Sequence, residues 1–259
     1  MDLATLEDPA SDLSDARQAA RVDLAAAMRV AVWYGYHEAI DNHFTLTVPG
    51  RPDRFYLNPY GLHWAEMCAS DFLEIGQDGK LRAGTGIADR TAICIHAPIH
   101  RLVPGANCVL HTHMPFATAL TQLEDMTVEM IGQTALGFEG DIAYDYDYDG
   151  LAYDMAEGER LAALMGDKPI VMMANHGVLV TGPTVADAFA RLYFLERACQ
   201  TQIYAMWTGK KRRVLPEALV AKTRAQFNEW ALPEGVTANG LHFSALKRLL
   251  DRKEPDYVK

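Results

Sequence analysis

A short apolar run, Cys108-Val109-Leu110, ends in His111-Thr112-His113-Met114. In an extended strand alternate side chains share a face, so His111 and His113 point the same way, roughly 7 Å apart by the rise of the strand. Two imidazoles at that separation can close on one divalent cation with little adjustment. Metal sites usually need a third protein ligand. The candidate is His176, where a second apolar run, Val171 to Ala174, ends in Asn175-His176-Gly177. Three neutral imidazoles leave a coordination position open on zinc, manganese or iron, and catalysis requires an open position. A histidine at a strand end can equally be a hydrogen-bonded side chain, and the local pattern alone leaves both readings open. His96 and His100 form another pair, four residues apart on one helix face. The intervening Ala-Pro-Ile lacks the Glu of zinc-protease helices. That pair therefore reads as packing and hydrogen bonding, with His96 able to support the site from behind.

These residues need elements to hold them. Residues 1–12 read as a loose acidic arm, and Asp12 or Ser14 as the cap of a helix running to about Glu38. Phe44 to Val48 and Arg54 to Leu57 flank Pro49-Gly50-Arg51-Pro52-Asp53 as a hairpin. A second hairpin joins Phe72–Ile75 to Leu81–Ala83, and Thr91 to Leu102 reads as a helix containing Pro98. The His-x-His strand follows, then a short helix from Phe116 to Gln122 and a possible strand from Thr127 to Ile131. Asp141 to Gly150 alternates Asp with Tyr and is too acidic for an ordinary core strand. It reads as a solvated edge or loop, or as a wall of the site supplying a Tyr hydroxyl such as that of Tyr146. Asp154 to Met165 is an amphipathic helix. After the strand leading to His176, Thr184 caps a long helix to about Thr208. Lys210-Lys211-Arg212-Arg213 lies beyond it, where basic residues suit the negative end of the helix dipole. Two further helices span roughly Pro216–Trp230 and His242–Arg252.

The chain has 259 residues, 49% hydrophobic and 22% charged, an ordinary globular composition large enough to bury a core without disulfides. A net charge of -10 argues against nucleic acid as partner, but not against a small anion, since a metal and one Arg reverse the field locally. The four cysteines form no Cys-x-x-Cys pair and read as reduced thiols. Without a secretory signal or an apolar run of membrane-spanning length, the expected location is the cytoplasm, away from membranes.

The order of helix, Asn42, hairpin, Asn58-Pro59-Tyr60-Gly61, helix, Val-Leu-His-Thr-His, Asn-His-Gly and long helix resembles the class II aldolase/adducin family. The resemblance covers roughly residues 15–208, about three quarters of the chain, and Asn42-His43-Phe44-Thr45 is closer to the adducin-head branch. It implies a three-layer α/β/α domain around a mostly antiparallel sheet. It also implies His111, His113 and His176 as ligands of one divalent metal, zinc first with manganese or iron as alternatives, and a homo-oligomer, typically a tetramer. Residues 209–259 would form a helical extension packed on the same or a neighbouring subunit.

The departures from the family pattern bear on chemistry. A Glu that neighbours the metal and transfers protons in the aldolases corresponds to Ala92. Of the phosphate-binding residues, Asn42 and Gly61 are retained, while hydroxyl residues become Tyr60 and Arg90-Thr91. An Arg suits a planar carboxylate at least as well as a phosphate. The expected activity is a metal-dependent lyase acting on a small carboxylate-bearing hydroxy- or oxo-acid. Asn42, Gly61, Arg90 and Thr91 would hold the anion, with Tyr60, His96 or Tyr146 as acid/base or supporting groups. A non-catalytic, adducin-like assembly role and an iron-dependent oxygenase are the alternatives.

Overall fold

The structure is a computed structural model and describes residues 9–259. Eight strands form one sheet: β1 (His43–Val48), β2 (Arg51–Leu57), β3 (Leu73–Gly76), β4 (Leu81–Ala83), β5 (Cys108–Thr112), β6 (Ile142–Asp145), β7 (Ile170–Met173) and β8 (Gly177–Gly182). Their order is β4-β3-β2-β1-β5-β8-β7-β6. Every pairing is antiparallel except the parallel β6/β7 edge.

The helices are α1 (Pro9–Tyr34), α2 (Arg90–Leu102), α3 (Pro115–Thr121), α4 (Gln133–Leu136), α5 (Met155–Met165), α6 (Val185–Trp207), α7 (Glu217–Glu229) and α8 (Ala238–Lys253). Strand alternation sorts the sheet's side chains between two helix layers. Phe44, Leu46, Leu110, Met172 and Val180 join the core beneath α1, α3, α6 and α8. Val109, Val171 and Leu179 pack under α2 and α5. This is the expected three-layer α/β/α arrangement. The same alternation puts His43, Thr45 and His111 on the α2 face, opposite Phe44 and Leu110. Phe243, Leu246 and Leu250 of α8 are buried in the main core, so this helix packs on its own chain.

Several expectations are corrected. The first helix already includes Pro9, the first described residue, so neither Asp12 nor Ser14 caps it. Residues 9–12 are therefore helical, and residues 1–8 of the expected arm lie outside the described residues. That helix stops at Tyr34, where Gly35 takes φ +70°. Thr127 to Ile131 is not a strand. Its amides are met by side chains instead: Val128 N–H donates to the Tyr144 hydroxyl at 3.1 Å and Glu129 N–H to Gln202 Oε1 at 2.8 Å. Ile142 to Asp145 does form an edge strand, with Ile142, Ala143 and Asp145 buried. Thr184 caps α6 as expected, accepting from Asp187 N–H. The basic run beyond α6 is engaged at Arg212, whose guanidinium grips both oxygens of Glu129 at 2.6 Å.

A candidate metal centre at the end of the sheet

The antiparallel β5/β8 pair brings two distant motifs together. His111 sits in β5 opposite Leu179, and His113 follows the last residue of the strand. β7 ends at Met173 rather than running to the histidine, and His176 lies in the tight turn into β8, after Asn175 at φ +55°. The result is a triangle of imidazoles with ring centroids 4.9–5.0 Å apart. One nitrogen of each ring lies within 4.8 Å of the other two. No other such group of three His, Cys, Asp or Glu occurs among the described residues.

The hydrogen bonds fix which nitrogens face inward. His111 Nδ1 is 3.0 Å from the Val178 carbonyl, so it carries the proton and leaves Nε2 as a bare donor to a cation. His113 Nδ1 meets the Glu38 carboxylate, and its Nε2 is buried with no partner among the described residues. A buried imidazole nitrogen without a partner, beside two other imidazoles, fits a divalent cation. Burial, then the neighbouring His176 and His113, holds His111 well below the usual imidazole range. Burial and then His113 push His176 down to about 4. Both rings are therefore neutral near pH 7, the state that ligates metal.

A second layer stands behind His111. The His43 ring stacks on it at 5.4 Å, and His43 Nε2 lies 3.1 Å from Asp89 Oδ2. Asp89 also caps α2, accepting from the Thr91 amide at 2.8 Å and its hydroxyl at 2.9 Å. Burial opposes the charge on Asp89, but the bonds from His43 and Thr91 outweigh it and hold the carboxyl at about 2. His96 meets His43 edge-on at 5.4 Å.

The tautomers of His96 and His100 follow from one another. His100 Nδ1 donates to the Ala106 carbonyl at 2.9 Å, so its Nε2 accepts. The Thr45 hydroxyl donates to that Nε2 at 2.8 Å, so it must accept from His96 Nδ1 at 2.7 Å. His96 Nε2 is then a buried acceptor with no partner among the described residues, on a ring that meets His43 edge-on.

Burial pushes His96 well below its ordinary value and His100 down to about 4. The unfolded chain binds more protons than the folded one once the pH drops below the ordinary imidazole value, so stability falls as pH falls. His100 alone is expected to forfeit roughly 3 kcal/mol between pH 6.5 and pH 4. Denaturant titrations across that window should show the loss, and His100→Gln should reduce it by about that amount, leaving the part due to His96, His111 and His176.

The other expected site residues divide. Asn42 is buried at φ +71°, and its Oδ1 accepts the His113 amide at 3.1 Å, so this oxygen holds the backbone of His113 in place. The Thr91 hydroxyl is committed to Asp89. Gly61 turns at φ +103°. Tyr60 is partly exposed, its phenol pushed up by the charge of Asp41. Arg90 is exposed at the start of α2, its guanidinium 5.5 Å from the Tyr153 ring centre, with no ion-pair partner among the described residues. Tyr146 packs toward Tyr144 rather than toward the trio, and it is Tyr148 whose ring lies 6.4 Å from His176. Ala92 is fully buried in an apolar cluster with Phe55, Leu57, Leu73 and Ile75. The structure adds Glu38, His43, Asp89 and Tyr148 to the surroundings of the trio; the alternation of β1 and the Asp-Tyr repeat are the sequence signals for His43 and Tyr148.

Comparison with known proteins gives this geometry a family context. The family profile for the class II aldolase and adducin N-terminal domain matches residues 22–203. A Caulobacter vibrioides protein assigned by name to aldolase class 2 is 32% identical, covering 95% of this chain and 94% of its own. The crystal structure of an aldolase II superfamily protein from Pseudomonas syringae superposes with a TM-score of 0.86 at 33% identity, covering 94% and 96% of the two chains. An L-fuculose 1-phosphate aldolase from Glaciozyma antarctica shares the fold, with a TM-score of 0.82 at 24% identity and coverage of 95% and 94%.

Proposed function

Because the chain belongs to the class II aldolase and adducin family, we propose that it is a metal-dependent carbon–carbon lyase acting on a small carboxylate-bearing hydroxy- or oxo-acid. The observation that carries this reading is the triangle of His111, His113 and His176, with two outward nitrogens already bonded and the inward ones within 4.8 Å. These side chains would hold one divalent cation, zinc first, with manganese or iron as alternatives. When bound, the cation supplies Lewis-acid stabilisation of an oxyanion developing beside the bond that breaks.

The chain's own residues narrow the reaction. No carboxylate can act from position 92, where an alanine fills an apolar cluster. Decarboxylation needs no base to break its carbon–carbon bond, only an electron sink and a later proton donor. It suits this site better than a retro-aldol step that must first deprotonate a hydroxyl. Arg90, exposed at the mouth of α2, is suited to orient the substrate carboxylate. Tyr148, whose ring lies 6.4 Å from His176, is the first candidate for returning a proton, with Tyr60 as the alternative. As in the family, the protein would work as a homo-oligomer, a tetramer being the first expectation.

Elemental analysis of the purified chain should return about one zinc or manganese per chain. The loaded protein should then release carbon dioxide or an aldehyde from a panel of oxo- and hydroxy-acids. Iron in the site would favour oxygen chemistry. A chain that takes up no cation after reconstitution would refute the lyase reading and leave the adducin-like assembly role. Among the described residues, no helix is long and apolar enough to cross a membrane.

A further inference from the structure

Glu38 lies 75 residues from His113 in sequence, between the end of α1 and the start of β1. Its segment makes a tight turn, with Asp41 N–H donating to the Glu38 carbonyl at 2.9 Å. Ala39 and Asn42 take φ of +53° and +71° there, conformations that residues with a Cβ rarely adopt. Such backbone persists where the surroundings over-determine it, and here the segment touches the histidine trio at three points. The Glu38 carboxylate meets His113 Nδ1, Asn42 Oδ1 accepts the His113 amide at 3.1 Å, and the His43 ring stacks on His111. His113 is thereby held by ring and backbone at once.

The outward nitrogens of the trio are not equivalent. His111 Nδ1 faces a neutral carbonyl, that of Val178, whereas His113 Nδ1 faces an anion. A carboxylate accepts the N–H more strongly than a carbonyl and pushes electron density toward the opposite nitrogen. For His113 that opposite nitrogen is Nε2, buried beside the other two rings with no partner among the described residues.

We propose that Glu38 is a positioning residue for the metal centre: it fixes His113 as the Nδ1–H tautomer and strengthens Nε2 as a donor, so that the α1–β1 segment sets metal affinity. This rests on the reading of His111, His113 and His176 as metal ligands. The side chain of Glu38 is more than half exposed at 57%, so its replacement removes little packing.

The test is a zinc titration of the full chain against a chromophoric chelator, for wild type, Glu38→Ala and Glu38→Gln, with absorption spectra of the cobalt-loaded proteins alongside. Glu38→Ala is expected to bind zinc about 10- to 100-fold more weakly and to shift the cobalt d–d bands, because the orientation and donor strength of one ligand change. Glu38→Gln keeps an oxygen that can accept from Nδ1–H but loses the charge, so its affinity should fall between the two. Metal-free circular dichroism and thermal unfolding of the variants should match wild type, which separates ligand tuning from damage to the fold. A wild-type chain that holds zinc while both variants hold it equally well, with unchanged cobalt spectra, would overturn the role of Glu38 and leave the metal site standing. A wild-type chain that binds neither zinc nor cobalt would overturn both.

Discussion

Replacing His176 by alanine is expected to reduce bound metal from about one per chain to near none and to lower lyase activity at least 100-fold. The reason is coordination number. Three imidazoles already leave positions open for substrate and water, and two leave a site that loses its cation to dilution or a mild chelator. A structural zinc site with four ligands contributes on the order of 10–16 kcal/mol, so one ligand of three is worth several kcal/mol, more than the roughly 3 kcal/mol of a 100-fold loss. The metal-free fold should survive, because His176 stands in a turn and the core is built from residues such as Phe44, Leu110 and Phe189. His111→Ala should lose metal to the same extent with an added stability cost of about 1 kcal/mol, since its ring is buried and donates to the Val178 carbonyl. Elemental analysis after chelator challenge, paired with thermal unfolding of the metal-free proteins, distinguishes the two. Full stoichiometric metal in both variants would defeat the assignment of the trio.

The histidine motifs were legible in the sequence because each announces itself locally. A strand ending in His-x-His, and an apolar run ending in Asn-His-Gly, carry both the proposed ligands and the turn that aims them. The hairpins and the Thr184 cap were legible for the same reason, since turn residues and capping side chains act within four positions. What could not be read acts across long separations. Nothing near Glu38 says that it will meet His113, and nothing near Asp89 says that its carboxylate serves both an α2 cap and His43. Those pairings depend on β1 lying beside β5, which the hydrophobic pattern allows but does not specify. The strand expected at Thr127–Ile131 failed by the same logic. Its β-branched residues favour an extended chain, but the Tyr144 hydroxyl and the Gln202 amide group took the backbone bonds that a neighbouring strand would have made. Tyr146 and Tyr148 differ by one period of alternation. The choice between them turned on where β6 ends, at Asp145, after which the chain leaves the sheet and carries Tyr148 toward His176.

Gly177→Ala should show how tightly fold and site are joined in the Asn-His-Gly turn. Gly177 opens β8 and pairs with Met173 of β7. Its φ is not left-handed, so backbone conformation alone does not demand glycine there. Space does. A Cβ at this position would lie 2.6 Å from the Thr112 carbonyl oxygen and 2.7 Å from His113 Cδ2. Neither neighbour can yield cheaply: the first is backbone of β5, and the second is the ring of a proposed ligand held in place by Glu38 and by the bond from its own amide to Asn42. The extra methyl must therefore part β5 from β8 or swing the His113 ring out of the triangle. Overpacking of this kind costs about 1–3 kcal/mol, and displacement of one ligand should weaken zinc at least tenfold. Gly132→Ala is the control, because a Cβ there meets nothing within 4 Å, and both its stability and its zinc affinity should match wild type. Thermal unfolding together with zinc competition on the two variants separates the consequences. Loss of stability with unchanged affinity would mean that the sheet yields and the ring stays. Loss of affinity with little change in unfolding temperature would mean that the ring yields, so that glycine is required here for the metal rather than for the strand. A Gly177→Ala protein equal to wild type in both measurements would show that the approach of β8 to His113 is looser than 2.7 Å implies, and would remove the steric basis for reading Asn-His-Gly as part of the site.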